Sequence, residues 1–252
     1  MTGHAPRMRN TSESAIFAGT LVAIVSGGTR RTTVETLSEL SLPAVRTVLI
    51  SLGERPNAAP RDEAGTTVID DLQPRYLNNA IAYARLSSLP TAAWWRAGDP
   101  AMLPEVATLV DRLIIDVDDP SSCWAYVPEL ARVTSVSELR WARLTRWREQ
   151  FAQLFDMPDV AAVPRWEQLV IAGSDPYDAR LLAGWFRSRL PDGGRIRTTL
   201  LPGRKPFDSI MLEGQDATLE LRLLPNGRCL RTTVQLGERQ ETRIVPLGDR
   251  RP

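Results

Sequence analysis

The chain has 252 residues, of which 43% are hydrophobic and 24% are charged, and its formal net charge is +1. These values are typical of a soluble globular protein with one large domain or two small ones. The near-neutral charge gives no general attraction to nucleic acid or to membranes. The single histidine, His4, lies in a polar stretch that we expect to be disordered. Catalytic triads, Cys-His pairs and histidine-based metal sites are therefore excluded.

Strands and helices are predicted to alternate from residue 20 to residue 117. Short β-branched or apolar runs predict the strands, and apolar residues at helical spacing, as at Val34, Leu37 and Leu40, predict the helices. The predicted elements are a strand over 20–25, a helix over 32–40 ending at Pro43, strands over 46–52 and 66–70, a helix over 77–86, a strand over 91–95, a helix over 105–110 and a strand over 113–117. This alternation predicts an α/β fold with a parallel sheet that is covered on both faces.

The second half of the chain opens on a long predicted helix and closes on strands alone. Ser135 and Glu138 have capping-box spacing at the start of a helix predicted over 136–155. A strand over 166–171 and a helix from Pro176 follow, and Asn226-Gly227 between two later strands is a strong hairpin signal. We therefore expect an α+β second half with an antiparallel hairpin. The expected limits are 1–14 for the tail, 15–125 for an α/β domain and 126–252 for an α+β domain.

A first motif places two adjacent tryptophans at the end of a predicted strand. Trp94 and Trp95 are followed by Arg96 and Asp99 in the run Ala93-Trp94-Trp95-Arg96-Ala97-Gly98-Asp99-Pro100. Neighbouring strand residues point to opposite faces, so the simplest interpretation is that the two rings pin helices to the sheet. Arg96 and Asp99 lie at the carboxyl end of the strand, where loops often carry function. They either shape the loop as a salt bridge or form an interaction pair.

A second motif, Leu139–Arg148, combines Trp141 and Trp147 with several arginines, and a third is Leu181-Leu182-Ala183-Gly184-Trp185. Three interpretations of the second motif stay open. It can be an amphipathic helix with Trp147 in the core, or a protein interface, where tryptophan and arginine are favoured anchors. It can also be a site for single-stranded nucleic acid, which the overall charge disfavours.

In this order the three motifs resemble the glucose-6-phosphate dehydrogenase assembly protein family, OpcA, from about Leu21 to Pro246. The resemblance implies a non-catalytic protein that binds glucose-6-phosphate dehydrogenase, and we expect its location to be cytoplasmic. It implies that the protein promotes assembly or allosteric activation of that enzyme in the oxidative pentose phosphate pathway. We expect no cofactor, metal, nucleic acid or membrane partner, and the chain's own oligomeric state stays open. The signature residues are Trp94, Trp95, Arg96, Asp99, Trp141, Arg143, Thr145, Trp147 and Arg148.

Two other hypotheses place a ligand in the first half of the chain. The turn Ser26–Arg31 follows the first predicted strand, and Gly27, Gly28, Thr29 and Arg30 offer backbone N–H groups and positive charge to an anion. This supports an α/β enzyme that binds a nucleotide or a sugar phosphate, although neither standard phosphate-binding glycine motif is present. The other hypothesis is a sensor that binds a small molecule near Trp94–Asp99 and acts on the dehydrogenase.

Acidic and cysteine residues add two weaker hypotheses. Asp116, Asp118 and Asp119 follow a predicted strand, where a divalent cation could bind, but they match no ion-binding loop. Helix caps and solvated carboxylates are the favoured interpretation, so no metal site is predicted. Cys123 and Cys229 form no CxxC motif, which fits a reducing cytoplasm. Regulation by their redox state stays open.

Overall fold

The computed structural model describes residues 18–40, 44–55, 59–86, 88–190 and 193–247. These residues form two compact units, each of which draws on two stretches of chain. Unit 1 comprises the described residues of Met1–Ile114 and Tyr126–Val136, and unit 2 those of Ile115–Ala125 and Ser137–Pro252. The predicted tail over 1–14, with His4, and the predicted helix stop at Pro43 lie outside the described residues.

Unit 1 is built on a seven-stranded sheet with the order β3-β4-β2-β1-β5-β6-β7. β1 pairs in parallel with β2 and β5, β2 pairs in parallel with β4, and β3 pairs antiparallel with β4. The central strands are nearly continuous apolar runs, as expected where both faces of a parallel sheet are covered. The strands are β1 Gly19–Val25, β2 Val45–Arg55, β3 Arg61–Glu63, β4 Thr66–Leu72, β5 Thr91–Trp95, β6 Arg112–Ile115 and β7 Ser135–Glu138.

Short helices connect these strands, and the division between the units passes through β6 and β7. One face of the sheet packs Ala23, Val25, Leu49 and Val68 against Val34 and Leu37 of the first helix. The helices of this part of the chain are α1 Gly27–Leu40, α2 Leu77–Ala84, α3 Leu103–Ala107, α4 Ser121–Trp124 and α5 Val127–Leu130, of which α4 belongs to unit 2.

Unit 2 contains a six-stranded sheet with the order β13-β12-β11-β10-β8-β9. Only β8 and β9 pair in parallel among its described strand pairs, and the others are antiparallel. The strands are β8 Trp166–Gly173, β9 Arg197–Pro202, β10 Ser209–Gly214, β11 Ala217–Leu223, β12 Cys229–Leu236 and β13 Arg239–Pro246, and the helices are α6 Leu139–Arg143, α7 Thr145–Phe155, α8 Pro158–Ala161 and α9 Pro176–Arg189. No helix in the described part of the chain is long and apolar enough to cross a membrane.

The core of unit 2 follows directly from the residue pattern. Every second residue is buried in β11, as at Leu219 and Leu221, and α7 and α9 cover that face with Phe151 and Phe186. The Asn226-Gly227 turn joins β11 to β12 with Gly227 at φ +67°. The predicted fold class, an α/β first half followed by an α+β half with an antiparallel hairpin, is confirmed.

The predicted helices have different limits in the structure. Those predicted over 77–86 and 105–110 are Leu77–Ala84 and Leu103–Ala107, and two others differ more. The helix predicted over 136–155 is replaced by β7, α6 and α7. Ser135–Glu138 form an edge strand instead of a capping box, and the Glu138 carboxylate accepts a hydrogen bond from the Arg140 backbone N–H at 3.1 Å, which starts α6. The first helix starts at Gly27, not at residue 32, because the Ser26 carbonyl accepts hydrogen bonds from the N–H groups of Thr29 and Arg30.

Candidate functional site

The paired tryptophans of unit 1 are core residues. Trp94 packs on the face of the sheet that α1 covers, and Trp95, which is 0% exposed, lies on the opposite face. Gly98 makes this burial possible: a Cβ at its position would stand 2.7 Å from Cζ2 of Trp95, and its φ is +125°. The two indoles therefore hold the carboxyl end of β5 in place and offer little surface to a partner.

Arg96 and Asp99 have separate local roles. The Arg96 guanidinium donates a hydrogen bond from Nη1 to Oγ1 of Thr33 at 2.6 Å and lies 4.9 Å from the centre of the Trp94 ring. The Asp99 carboxylate accepts from the Ala101 N–H at 3.0 Å and so caps the short turn that starts at Pro100. Arg96 thus ties β5 to α1, whereas Asp99 stays exposed at the surface of the loop.

The predicted anion-binding turn lies at the carboxyl end of β1, beside β5. The chain leaves β1 toward β2 on one side and returns in β5 on the other, and such a switch point is where open α/β sheets commonly bind ligands. Gly27 and Gly28 begin α1 with open space where a side chain would stand. Arg30, however, binds Asp70 at 3.0 Å and Glu63 at 3.2 Å, which neutralises much of its charge. Anion binding here stays a prediction.

In unit 2 the Trp/Arg motif divides between core and surface. Trp147 is buried, with its ring centre 4.8 Å from that of Phe207. Trp141 is half-buried, and the Arg148 guanidinium lies 3.6 Å from the centre of its ring while donating to Oγ1 of Thr145 at 2.9 Å. Burial lowers the pKa of Arg148. Trp141, Thr145 and Arg148 therefore act together as a stacked group on α6 and α7.

Arg143 is the most accessible basic residue of the motif with a described partner. Its Nη2 donates to Oδ1 of Asp116 at 3.1 Å, and the Arg143 side chain is 56% exposed, whereas that of Asp116 is 10% exposed. The pair lies within unit 2, because the stretch Ile115–Ala125 belongs to that unit. One of the three aspartates considered as metal ligands is thus paired with a signature arginine.

A buried ion-pair cluster centred on Arg140 was not predicted from the sequence. This residue is 8% exposed, forms ion pairs with Asp175 and Asp178, and donates from Nη2 to the carbonyls of Val117 at 3.1 Å and Asp118 at 2.9 Å. An amphipathic helix with Trp147 in the core, one interpretation of the second motif, gave no reason to expect a buried arginine at this position. The helix start at Asp175-Pro176 was predicted from the sequence. The sequence did not indicate that the capping residue, Asp175, would also bind an arginine.

Charge and burial compete within this cluster. Burial acts to lower the pKa of Arg140, but the two aspartates outweigh it and the pKa is raised. The pKa of Asp178 is raised, first by burial and then by the neighbouring Asp175. A single guanidinium between two carboxylates leaves one negative charge unbalanced. The pKa of Asp178 is raised in part for this reason. The ion pairs and the two carbonyl contacts of Arg140 hold these segments of unit 2 together.

The acidic stretch and its cysteine add further structural contacts. Oδ1 of Asp119 accepts from the Ser121 N–H at 2.9 Å, at the start of α4. Glu138 accepts from Nε1 of Trp124 at 3.0 Å, and burial raises the pKa of Glu138. Cys123 is a buried free thiol whose pKa is raised by burial, which disfavours the reactive thiolate. Cys229 in β12 is also a free thiol.

Comparison with known proteins identifies similarity in the second half of the chain. Residues 134–252 match the family model described as the C-terminal domain of the glucose-6-phosphate dehydrogenase subunit. This range contains the second and third motifs, and the first motif lies outside it. A protein of Nostoc punctiforme is 30% identical over 115 residues, which are 42% of this chain and 25% of that protein. A protein of Synechocystis is 27% identical over 124 residues, which are 45% of this chain and 26% of that protein.

Both relatives carry the name OpcA and are described by that name as OxPP cycle proteins. The matched stretch spans about a quarter of the length of each. Among solved structures, the aldose-aldose oxidoreductase of Caulobacter crescentus is similar with a TM-score of 0.46 and 9% identity, over 92% of this chain and 85% of that one. A TM-score below 0.5 supports no conclusion about this chain.

Proposed function

We propose that the chain, as a member of the OpcA family, binds glucose-6-phosphate dehydrogenase and promotes its assembly or allosteric activation, without catalysing a reaction itself. The observation that carries this proposal is the match of residues 134–252 to a domain named for a subunit of that dehydrogenase. The relatives named OpcA support a place in the oxidative pentose phosphate pathway. The proposal keeps the cytoplasmic location that the sequence predicts.

The contact surface follows from which signature residues are accessible. Trp94, Trp95 and Trp147 are at most 7% exposed, so they act on binding through the fold. The exposed guanidinium of Arg143 and the stack of Arg148 on Trp141 remain as candidate contacts of unit 2. Arginine and tryptophan are the side chains that most often carry the energy of protein interfaces.

The action on the dehydrogenase has a thermodynamic requirement. A binding protein shifts an equilibrium between oligomeric forms only as far as its affinities for those forms differ. We therefore propose that the surface around Arg143 is complementary to the active oligomer and binds the inactive form less tightly.

The first test is to assay the dehydrogenase of the same organism with and without this protein, together with light scattering of the mixture. We expect a higher rate or a lower KM for the sugar phosphate, and a particle larger than the dehydrogenase alone. An unchanged rate and no complex would refute the proposal.

Arg143→Glu tests the contact itself. We expect it to weaken binding to the dehydrogenase about tenfold or more, as for a residue at the centre of an interface. Arg187→Glu is the matched control, because Arg187 is an exposed arginine of unit 2 outside the three motifs. Asp116→Asn is a second control that removes the ion pair and leaves Arg143 in place. Normal binding by folded Arg143→Glu would exclude Arg143 from the contact.

The position of the Ser26–Arg31 turn favours a second candidate function, a nucleotide- or sugar-phosphate-binding enzyme. The turn lies at the switch point between β1 and β5, where open α/β sheets commonly bind ligands. Gly28→Asp tests this function. The new side chain enters open space, and an acidic residue is favourable in the first turn of a helix, so the fold should be kept. The added carboxylate would repel a bound anion. Calorimetry with ATP, NADP and glucose 6-phosphate should show saturable binding that the variant loses. An isolated chain that binds none of them rules this function out.

A further inference from the structure

A cavity of about 580 Å³ opens in unit 2 between α7, α8, the start of β8 and α9. It lies on the helical side of the unit, and its lining includes the third sequence motif through Trp185. The residues that give it its character are Phe155, Val160, Trp166, Trp185, Phe186 and Leu190. Clefts of 300–1,000 Å³ with such linings are typical of binding sites for small molecules.

The aromatic wall is held by the packing behind it. Phe155 meets Trp166 edge-on with ring centres 5.8 Å apart, and Trp185 meets Phe186 in the same way at 4.9 Å. Trp166 and Phe186 are buried, whereas Phe155 and Trp185 are half-buried and line the opening. Gly214 of β10 lies so close behind this wall that a Cβ there would stand 2.5 Å from the Arg165 carbonyl oxygen. The cavity is therefore framed by tight packing.

Two exposed arginines complete the lining. Arg165 precedes β8 and Arg189 ends α9, and neither forms an ion pair with any described residue. No carboxylate is among the described residues that line the cavity. Arg140 and Arg143 of the same unit, by contrast, are paired with aspartates. An apolar cavity whose charged residues, among those described, are both arginines is complementary to a molecule with an apolar body and an anionic group.

We propose that this cavity binds a small amphipathic anion, an aromatic or aliphatic body that carries one carboxylate, sulfonate or phosphate. The body packs against Trp185 and Phe155, and the anionic group pairs with Arg165 and Arg189. This site is independent of the proposed binding to the dehydrogenase, and its test needs no partner protein.

The test uses the full chain and the fluorescent probe 1-anilinonaphthalene-8-sulfonate, an aromatic body with one sulfonate. We expect saturable binding with a blue-shifted emission. The double variant Arg165→Gln/Arg189→Gln should weaken binding about fivefold, since exposed charge pairs contribute modestly. Arg146→Gln, an exposed arginine near the start of α7 that does not line the cavity, is the matched control and should bind as the parent does.

Two further measurements separate this site from adventitious binding. Ala161→Trp places a large ring in the lining at an exposed position and should abolish binding without unfolding the unit, which circular dichroism checks. The neutral probe N-phenyl-1-naphthylamine should bind equally to the parent and to the double arginine variant.

Three results would overturn the proposal: no saturable binding of the sulfonate probe, equal binding of that probe by all folded variants, or loss of the neutral probe in the double arginine variant.

Discussion

At the residue scale, Gly98 shows how one position fixes the end of β5. Its φ of +125° suits glycine alone, and the Trp95 ring and Leu52 occupy the space of a side chain. We expect Gly98→Ala to lower the free energy of unfolding by about 2–4 kcal/mol, from backbone strain and overpacking together. Urea denaturation followed by tryptophan fluorescence measures it.

Gly184→Ala is the control for this substitution. Gly184 lies within α9, where nothing stands within 4 Å of an added Cβ. Alanine is better than glycine inside a helix, so the control should stabilise the protein by about 0.5–1 kcal/mol. If Gly98→Ala is as stable as the parent, Trp95 can move aside and the close approach is not a constraint.

Arg140 is a charged residue that is buried in unit 2. Arg140→Met keeps the length of the side chain but leaves Asp175 and Asp178 without their partner. Breaking a buried ion pair from one side costs about 3–5 kcal/mol, and we expect a loss of that size in urea denaturation. The pair of Arg143 and Asp116, in which the guanidinium is 56% exposed, gives the comparison: Arg143→Met should cost less, about 1 kcal/mol. Equal losses in the two variants would mean that the Arg140 cluster is solvated.

The tryptophans and arginines show what single residues reveal in a sequence. That Trp94 and Trp95 point to opposite faces of the sheet was a correct interpretation, because alternation along a strand is a local rule. The burial of Arg140 could not be predicted, since its partner Asp175 lies 35 residues away and no local period encodes that distance. Whether the signature residues contact a partner remains a prediction for the binding assay.

At the element scale, Asp70 connects β4 to α1 and β3 through two arginines. Oδ1 lies 3.0 Å from Arg30 and Oδ2 lies 2.5 Å from Arg61. Burial acts to raise the pKa of Asp70, but the hydrogen bonds from both guanidinium groups outweigh it and the pKa is lowered. The ion pairs therefore stabilise unit 1 fully above the unfolded pKa of about 3.9, and this contribution is lost as the pH falls through the folded pKa.

Asp70→Asn tests this pH dependence. We expect the variant to be about 1 kcal/mol less stable than the parent at pH 7. The difference between the two proteins should shrink as the pH is lowered from 5 to 3, as urea titrations at each pH measure. Other carboxyl groups, such as Glu138, whose pKa is raised by burial, contribute equally to the stability of both proteins. Their contribution therefore cancels in the difference between the two proteins. A difference that stays constant down to pH 3 would contradict the assignment to the Asp70 ion pairs.

Element limits were predictable where the residue pattern is strong. The apolar runs of β1, β2 and β5 and the Asn226-Gly227 turn predicted the strands and the hairpin correctly. The segment Ser135–Glu138 was interpreted as a helix start because its polar residues match a capping box. It is instead an edge strand, and its place in the sheet is set by its neighbour β6, from which α4 and α5 separate it in the sequence.

At the scale of the whole molecule, the predicted domains and the compact units differ in where they place the stretch Ile115–Ala125. The sequence favoured a boundary at 125/126, which leaves this stretch with the first domain. In the structure its described residues belong to unit 2. They supply the Val117 and Asp118 carbonyls to Arg140, the Asp116 carboxylate to Arg143 and the Trp124 N–H to Glu138.

Two fragments that differ only in this stretch decide the boundary. We expect fragment 115–252 to be more stable than fragment 126–252 by about 3 kcal/mol, because hydrogen bonds to a buried charge contribute about 1.5 kcal/mol or more each and Arg140 loses two of them. Thermal and urea unfolding followed by circular dichroism measure the difference. Arg140→Met should then destabilise the longer fragment more than the shorter one, because the carbonyl partners are present only in the former. Equal stability of the two fragments would favour the boundary at 125/126, since the stretch would then contribute nothing to the fold of the second unit.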